Sequence, residues 1–130
     1  KTPTLVIETG TCLRIHPNSN DQIFYGMLNL LQDIGTLNIT HPKGKEPKLV
    51  EPDEVVMIQA HHSGLFIKQV EIGEVLKEGE KLGKVIDPVK GNILEEIFSP
   101  CSGLLFTIRE HPLSHKGSTL ARIARDTGNK

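Results

Sequence analysis

The chain has 130 residues, 37% of them hydrophobic, with no Trp and one Tyr; this is one domain's worth of sequence with room for an extra element, and its core must come from Ile, Leu and Val with a few Phe. Fifteen basic against sixteen acidic residues give a net charge of -1, which argues against nucleic acid or an anionic membrane as a partner, since either requires a dense basic patch. No stretch approaches the ~20 apolar residues of a membrane span, and Cys12 and Cys101 fall outside any Cys-x-x-Cys spacing, so we expect a cytoplasmic protein with reduced thiols.

Thr4-Leu5-Val6-Ile7 is a continuous apolar run rich in β-branched residues, the pattern of a strand buried on both faces. It ends at Glu8, ahead of Thr9-Gly10. A carboxylate at the end of a rigid strand beside a glycine is well placed for chemistry. It is also where a charged residue simply leaves a core, and from the residues alone both readings stand. The chain opens at Lys1, not Met, and runs straight into this segment, from which we expect a piece of a longer protein.

Asn18-Ser19-Asn20-Asp21 offers N-cap side chains for a helix, because their oxygens accept the unpaired N–H groups of a first turn. Ile23, Met27, Leu30, Leu31 and Ile34 then recur at helical spacing, widened by Phe24 and Leu28, and Gly35 follows as a left-handed stop. The expectation is one helix over about 20–34 with an apolar stripe broad enough to need a sheet beneath it. His41-Pro42-Lys43-Gly44-Lys45-Glu46-Pro47 reads as a linker.

Strand signals follow at 55–60, 65–70, 82–86, 93–98, 104–109 and 119–124, separated by Gly, Pro and Asn punctuation. The stretch is also written twice. Ala60-His61-His62-Ser63-Gly64-Leu65 with Gly79-Glu80-Lys81-Leu82 answers to Ser99-Pro100-Cys101-Ser102-Gly103-Leu104 with Gly117-Ser118-Thr119-Leu120. Each unit must bury its apolar face on something, and the natural partner is the other copy, interlocked into a closed or nearly closed β structure.

The duplicated half resembles the biotinyl/lipoyl-like barrel sandwich through Ser63-Gly64-Leu65, Ile72-Gly73-x-Val75-x-x-x-Gly79-x-x-Leu82-Gly83 and Ser99-Pro100-x-Ser102-Gly103. A carrier domain of that kind needs a lysine at the hairpin joining its halves. Lys90, in Asp87-Pro88-Val89-Lys90-Gly91-Asn92, lies there but lacks the Met-Lys-Met or Asp-Lys-Ala neighbours. A non-catalytic carrier or adaptor module is the alternative this leaves. The first half, Thr4-Leu5-Val6-Ile7-Glu8-Thr9-Gly10 and the helix through Gly35-Thr36-Leu37, resembles the end of the catalytic domain in the succinylglutamate desuccinylase/aspartoacylase family. Asp87-Pro88, Ser99-Pro100 and His111-Pro112-Leu113 in the second half resemble that family too.

The resemblance implies a mainly β fold, preceded by one strand and one helix of an α/β zinc-hydrolase domain. It divides the chain into 1–40 (catalytic domain end), 41–52 (linker), 53–125 (lipoyl-like β domain) and a 126–130 tail. It further implies hydrolysis of the amide bond of an N-acyl amino acid, with zinc activating water and Glu8 as general base and proton shuttle. The family's zinc ligands are a His and Glu from one motif and a later His, and no His-x-x-Glu occurs here. The zinc is therefore expected upstream, the fragment is expected to be inactive alone, and homo-oligomerisation is left open. His111-x-x-x-His115 has helical metal spacing, but Pro112 between them predicts a turn; His61-His62 reads as a surface feature and Arg14 as solvated.

Overall fold

The structure, a computed structural model, describes residues 2–8, 10, 17–38, 47 and 49–128. Thr9, Cys12, Arg14 and linker residues 41–46 lie outside the described residues. The chain forms two compact units, Lys1–Lys48 and Leu49–Lys130.

In the first unit, residues 2–8 form no strand, and Leu5, Val6 and Ile7 are exposed. This corrects the buried strand expected at 4–7. A strand exists only where a neighbour satisfies its backbone N–H and C=O groups, and the described residues of this unit contain none. Helix α1 runs Pro17–Asp33. It starts earlier than the Asn18–Asp21 caps suggested, because Pro17 has its φ preset for a first helical position and has no N–H to satisfy. Its end is as expected. Gly35, at φ 76°, donates to Gln32 O, and Thr36 N–H reaches back to Leu31 O at 2.8 Å, the paired bonds of a left-handed C-terminal cap. Phe24, Met27, Leu30 and Ile34 are exposed, and Ile23, Leu28 and Leu31 are half-buried.

The second unit opens with a short 3-10 turn, Pro52–Glu54, and then contains eight strands: β1 Val55–Gln59, β2 Gly64–Lys68, β3 Val75–Leu76, β4 Lys81–Ile86, β5 Ile93–Phe98, β6 Gly103–Ile108, β7 Leu113–Ser114 and β8 Thr119–Arg125. Six were legible in the sequence; β3 and β7 were not. The strands form two four-stranded antiparallel sheets, ordered β1-β8-β6-β3 and β5-β4-β2-β7. Advancing every strand of the first order by four positions in the cycle of eight produces the second order. The duplicated sequence is therefore a duplicated structure, each sheet drawing two strands from each half. Neither sheet closes on itself, so of the closed or nearly closed structure expected the closed form is not found.

The correspondence extends to single bonds. Gly79 N–H donates to Ser99 O at 2.8 Å, and its counterpart Gly117 donates to Ala60 O at 2.7 Å. Ser102 Oγ accepts from Glu78 N–H, and Ser63 Oγ accepts from Lys116 N–H, at 3.1 and 3.0 Å. The serines of the two Ser-Gly turns thus each satisfy a loop N–H of the opposite copy. The glycines after them let strands approach closely: a Cβ on Gly64 would stand 2.5 Å from Ile86 O, and one on Gly103 2.2 Å from Ala124 O. Between the sheets lies one core containing Phe66, Leu76, Leu82, Val85, Leu105, Leu120 and Ile123.

Candidate functional site

Glu8 ends the 2–8 segment with its side chain exposed, making no hydrogen bond or ion pair with another described residue. The structure brings no other candidate residue of the first unit to it. His111 and His115 are exposed, and the extended β7 lies between them, so they do not share a helical face. Among the described residues, no three His, Cys, Asp or Glu side chains converge to hold a metal ion. Lys90 is exposed in the β4–β5 hairpin, where Asp87 Oδ1 accepts the N–H groups of Val89 and Lys90 at 2.8 and 3.0 Å.

The strongest constellation in the second unit centres on Glu95, a residue sequence reasoning passed over. The register sets Glu95 against Val85 and Val56 against Ile123, so Glu95 occupies in one half the position Val56 occupies in the other. Val56 packs on the core; the Glu95 side chain is only 12% exposed. A carboxylate in a valine's position needs donors, and the β1–β2 turn supplies them. His61 N–H reaches Oε2 at 2.9 Å, His62 N–H reaches it at 3.2 Å, and the His61 ring Nδ1 lies 2.5 Å from Oε1. His62 Nδ1 stands 3.6 Å from Oε2. Burial pushes the Glu95 pKa up, but the His61 ring and backbone bonds, with the His62 N–H, outweigh it and leave the carboxyl below its ordinary range. The signal available in advance was the departure from the repeat: Pro100-Cys101 where the other copy has His61-His62.

Beside this cluster is a depression of about 300 Å³ lined by Met57, Ile58, Gln59, His61, Phe98 and Pro100. Gln59 Nε2 donates to Gly117 O at 3.2 Å. A second ionic group, Lys68 with Glu71 and Glu110 at 2.7 and 2.9 Å, ties the end of β2 to the β6–β7 connection. The Glu71 bond, then the Glu110 bond, raise the Lys68 pKa. It lies apart from the depression and reads as structural. No described helix is long and apolar enough to cross a membrane.

No family model matches the sequence, and no curated protein does. Solved structures match the fold. A succinylglutamate desuccinylase from Silicibacter sp. TM1040 is 25% identical, with a TM-score of 0.76 over 86% of this chain and 34% of that one. A succinylglutamate desuccinylase/aspartoacylase from Rhodobacter sphaeroides is 19% identical, with a TM-score of 0.73 over 90% of this chain and 38% of that one. The product-bound ectoine utilization protein EutE (DoeB) from Ruegeria pomeroyi is 20% identical, with a TM-score of 0.74 over 85% and 34%. The fold is thus mainly β, two antiparallel sheets and one helix, similar to these structures, and the chain spans a little over a third of their length.

Proposed function

We propose that this chain supplies the segment around Glu8, helix α1 and a lipoyl-like barrel-sandwich domain to a zinc-dependent hydrolase that cleaves the amide bond of an N-acyl amino acid. The observation that carries the reading is the likeness to the Silicibacter succinylglutamate desuccinylase, at a TM-score of 0.76 over 86% of the chain. The barrel-sandwich assignment draws its support from the two sheet orders, which exchange when each strand is replaced by its counterpart. The described residues do not fit a zinc site; the ion this reading implies takes its ligands from other parts of the intact enzyme.

The role assigned to this chain's own chemistry is proton transfer at Glu8. Its carboxylate takes a proton from the attacking water and returns it to the nitrogen of the leaving amine, a cycle one carboxylate can complete within a turnover. An exposed side chain without a partner among the described residues leaves both oxygens available for that exchange. The test is turnover of N-succinylglutamate and N-acetylaspartate by the intact enzyme carrying Glu8→Gln. Loss of a positioned general base lowers kcat by roughly 10²- to 10⁴-fold. An unchanged kcat would remove Glu8 from the mechanism.

A further inference from the structure

Where two halves repeat each other down to single hydrogen bonds, the places where they differ are the places where one half has acquired something of its own. One such set of differences is concentrated in one spot. His61, His62 and Glu95 stand where the other half has Pro100, Cys101 and Val56. Gln59 stands where the other half has Phe98, and both of these line the depression that His61 borders.

The hydrogen-bonding character of that depression follows from bonds already made. An ionised carboxylate can only accept, so the ring nitrogen 2.5 Å from Glu95 carries the hydrogen. In the neutral ring, Nε2 is then an acceptor, and His61, 81% exposed, has that nitrogen without a partner among the described residues. One N–H of Gln59 is committed to Gly117 O, and the side chain's Oε1 is open to accept. Both polar side chains of the depression therefore offer it an acceptor. Its remaining lining is apolar, with Met57 and Phe98 each about half exposed and Pro100 beside them. Phe98 adds an aromatic face that attracts a cation. Lys81, opposite Phe98 in register, is held by Glu96 at 2.5 Å. Arg122, opposite Met57 on β8, does not line the depression.

We propose that the depression beside His61 and Glu95 is a binding site for a small organic ammonium: a primary amine on a short apolar body. The N–H groups go to His61 Nε2 and Gln59 Oε1, and the apolar body lies against Met57 and Phe98. A volume of about 300 Å³, at the small end of ligand pockets, admits an amine of a few carbons. The inference stands apart from the hydrolase reading, because nothing in it draws on Glu8 or on amide cleavage.

The experiment is an NMR titration of the full chain with n-butylammonium, 1-butanol and butyrate, following the Met57 methyl and His61 ring signals near pH 8. The expected result is saturable shifts with n-butylammonium, about tenfold weaker binding of 1-butanol, and weaker binding still of butyrate. His61→Ala removes one donor of Glu95 but leaves it the two backbone N–H groups of His61 and His62; it weakens n-butylammonium about tenfold, and Gln59→Leu, which leaves that cluster intact, weakens it by a smaller factor in the same direction. Butyrate binding as tightly as n-butylammonium, binding unaffected by His61→Ala, or no saturable shift up to about 100 mM amine would each overturn the assignment.

Discussion

Replacing Gly103 with Ala tests whether the two copies are as tightly interlocked as their bonds indicate. The added methyl would lie 2.2 Å from Ala124 O and 2.8 Å from Ile123 Cγ2. Reaching an ordinary contact requires the backbone oxygen to retreat by about 1 Å, and backbone in a paired strand cannot swing aside as a side chain can. Parting β6 from β8 there strains the adjacent bond from Asp126 N–H to Ser102 O, now 2.9 Å, worth about 1 kcal/mol. Displacing Ile123, fully buried in the core, adds about 1–3 kcal/mol of overpacking. Stiffening the unfolded chain offsets about 0.4–1 kcal/mol. The net expectation is a destabilisation of about 2–3 kcal/mol, or roughly 10–20 °C in Tm for a unit of this size. Gly64→Ala, whose methyl would meet Ile86 O at 2.5 Å, should show a similar or slightly smaller loss. Urea denaturation followed by far-UV circular dichroism measures both. If both variants stay within about 0.5 kcal/mol of the parent, close strand approach at the Ser-Gly turns is not what demands glycine there, and the reasoning fails.

Glu95 makes a prediction in pH. Its folded pKa lies below the ordinary value of 4.5, so the stability it contributes is fully present above about pH 5 and is lost as the pH falls through the folded value. Glu95→Gln should therefore lower stability at pH 7 yet flatten its dependence between about pH 5 and 3; an unchanged acid slope in denaturant titrations would contradict the assignment. The serines supply a check on the symmetry. Ser63→Ala and Ser102→Ala each strip the acceptor from one loop N–H, and each should destabilise by about 1 kcal/mol. Chemical denaturation giving losses that differ by more than about 1 kcal/mol would show the two turns to be unequal in spite of their matching bonds.

Six strands announced themselves because apolar and β-branched runs of five or six residues alternate with Gly and Pro turns. The missed pair, Val75–Leu76 and Leu113–Ser114, are two residues each, too short for any periodicity; they exist because β6 and β2 offer free edges to pair with. The cap at Gly35 is local chemistry and was legible for that reason. Thr4–Ile7 failed in the opposite way: its composition is that of a strand, but pairing is supplied by a neighbour and not by composition. Glu95 was illegible because Glu95-Glu96 inside an apolar run looks like a solvent-facing edge. Only alignment of the two copies by register, which sets Glu95 against Val56, exposes it as a buried acid. Glu8 drew attention through a resemblance; its neighbours in the sequence say only that a charge follows an apolar run.

The exchange of the two sheet orders has a consequence for how this unit folds. A cut in the Asp87–Asn92 hairpin would leave four strands on each side, two destined for each sheet, so neither fragment has a complete sheet of its own. Much of the pairing is distant in sequence, as in β1 with β8, where Val55 meets Ala124. Such a topology closes long loops before its contacts are rewarded, which slows folding. It also makes the molecule the covalent form of a symmetric dimer: two similar four-strand chains, each useless without the other, joined by one hairpin. The same geometry that knits the halves together within a chain would let a half from one molecule complete a half from another, with the Asp87–Asn92 link as the hinge.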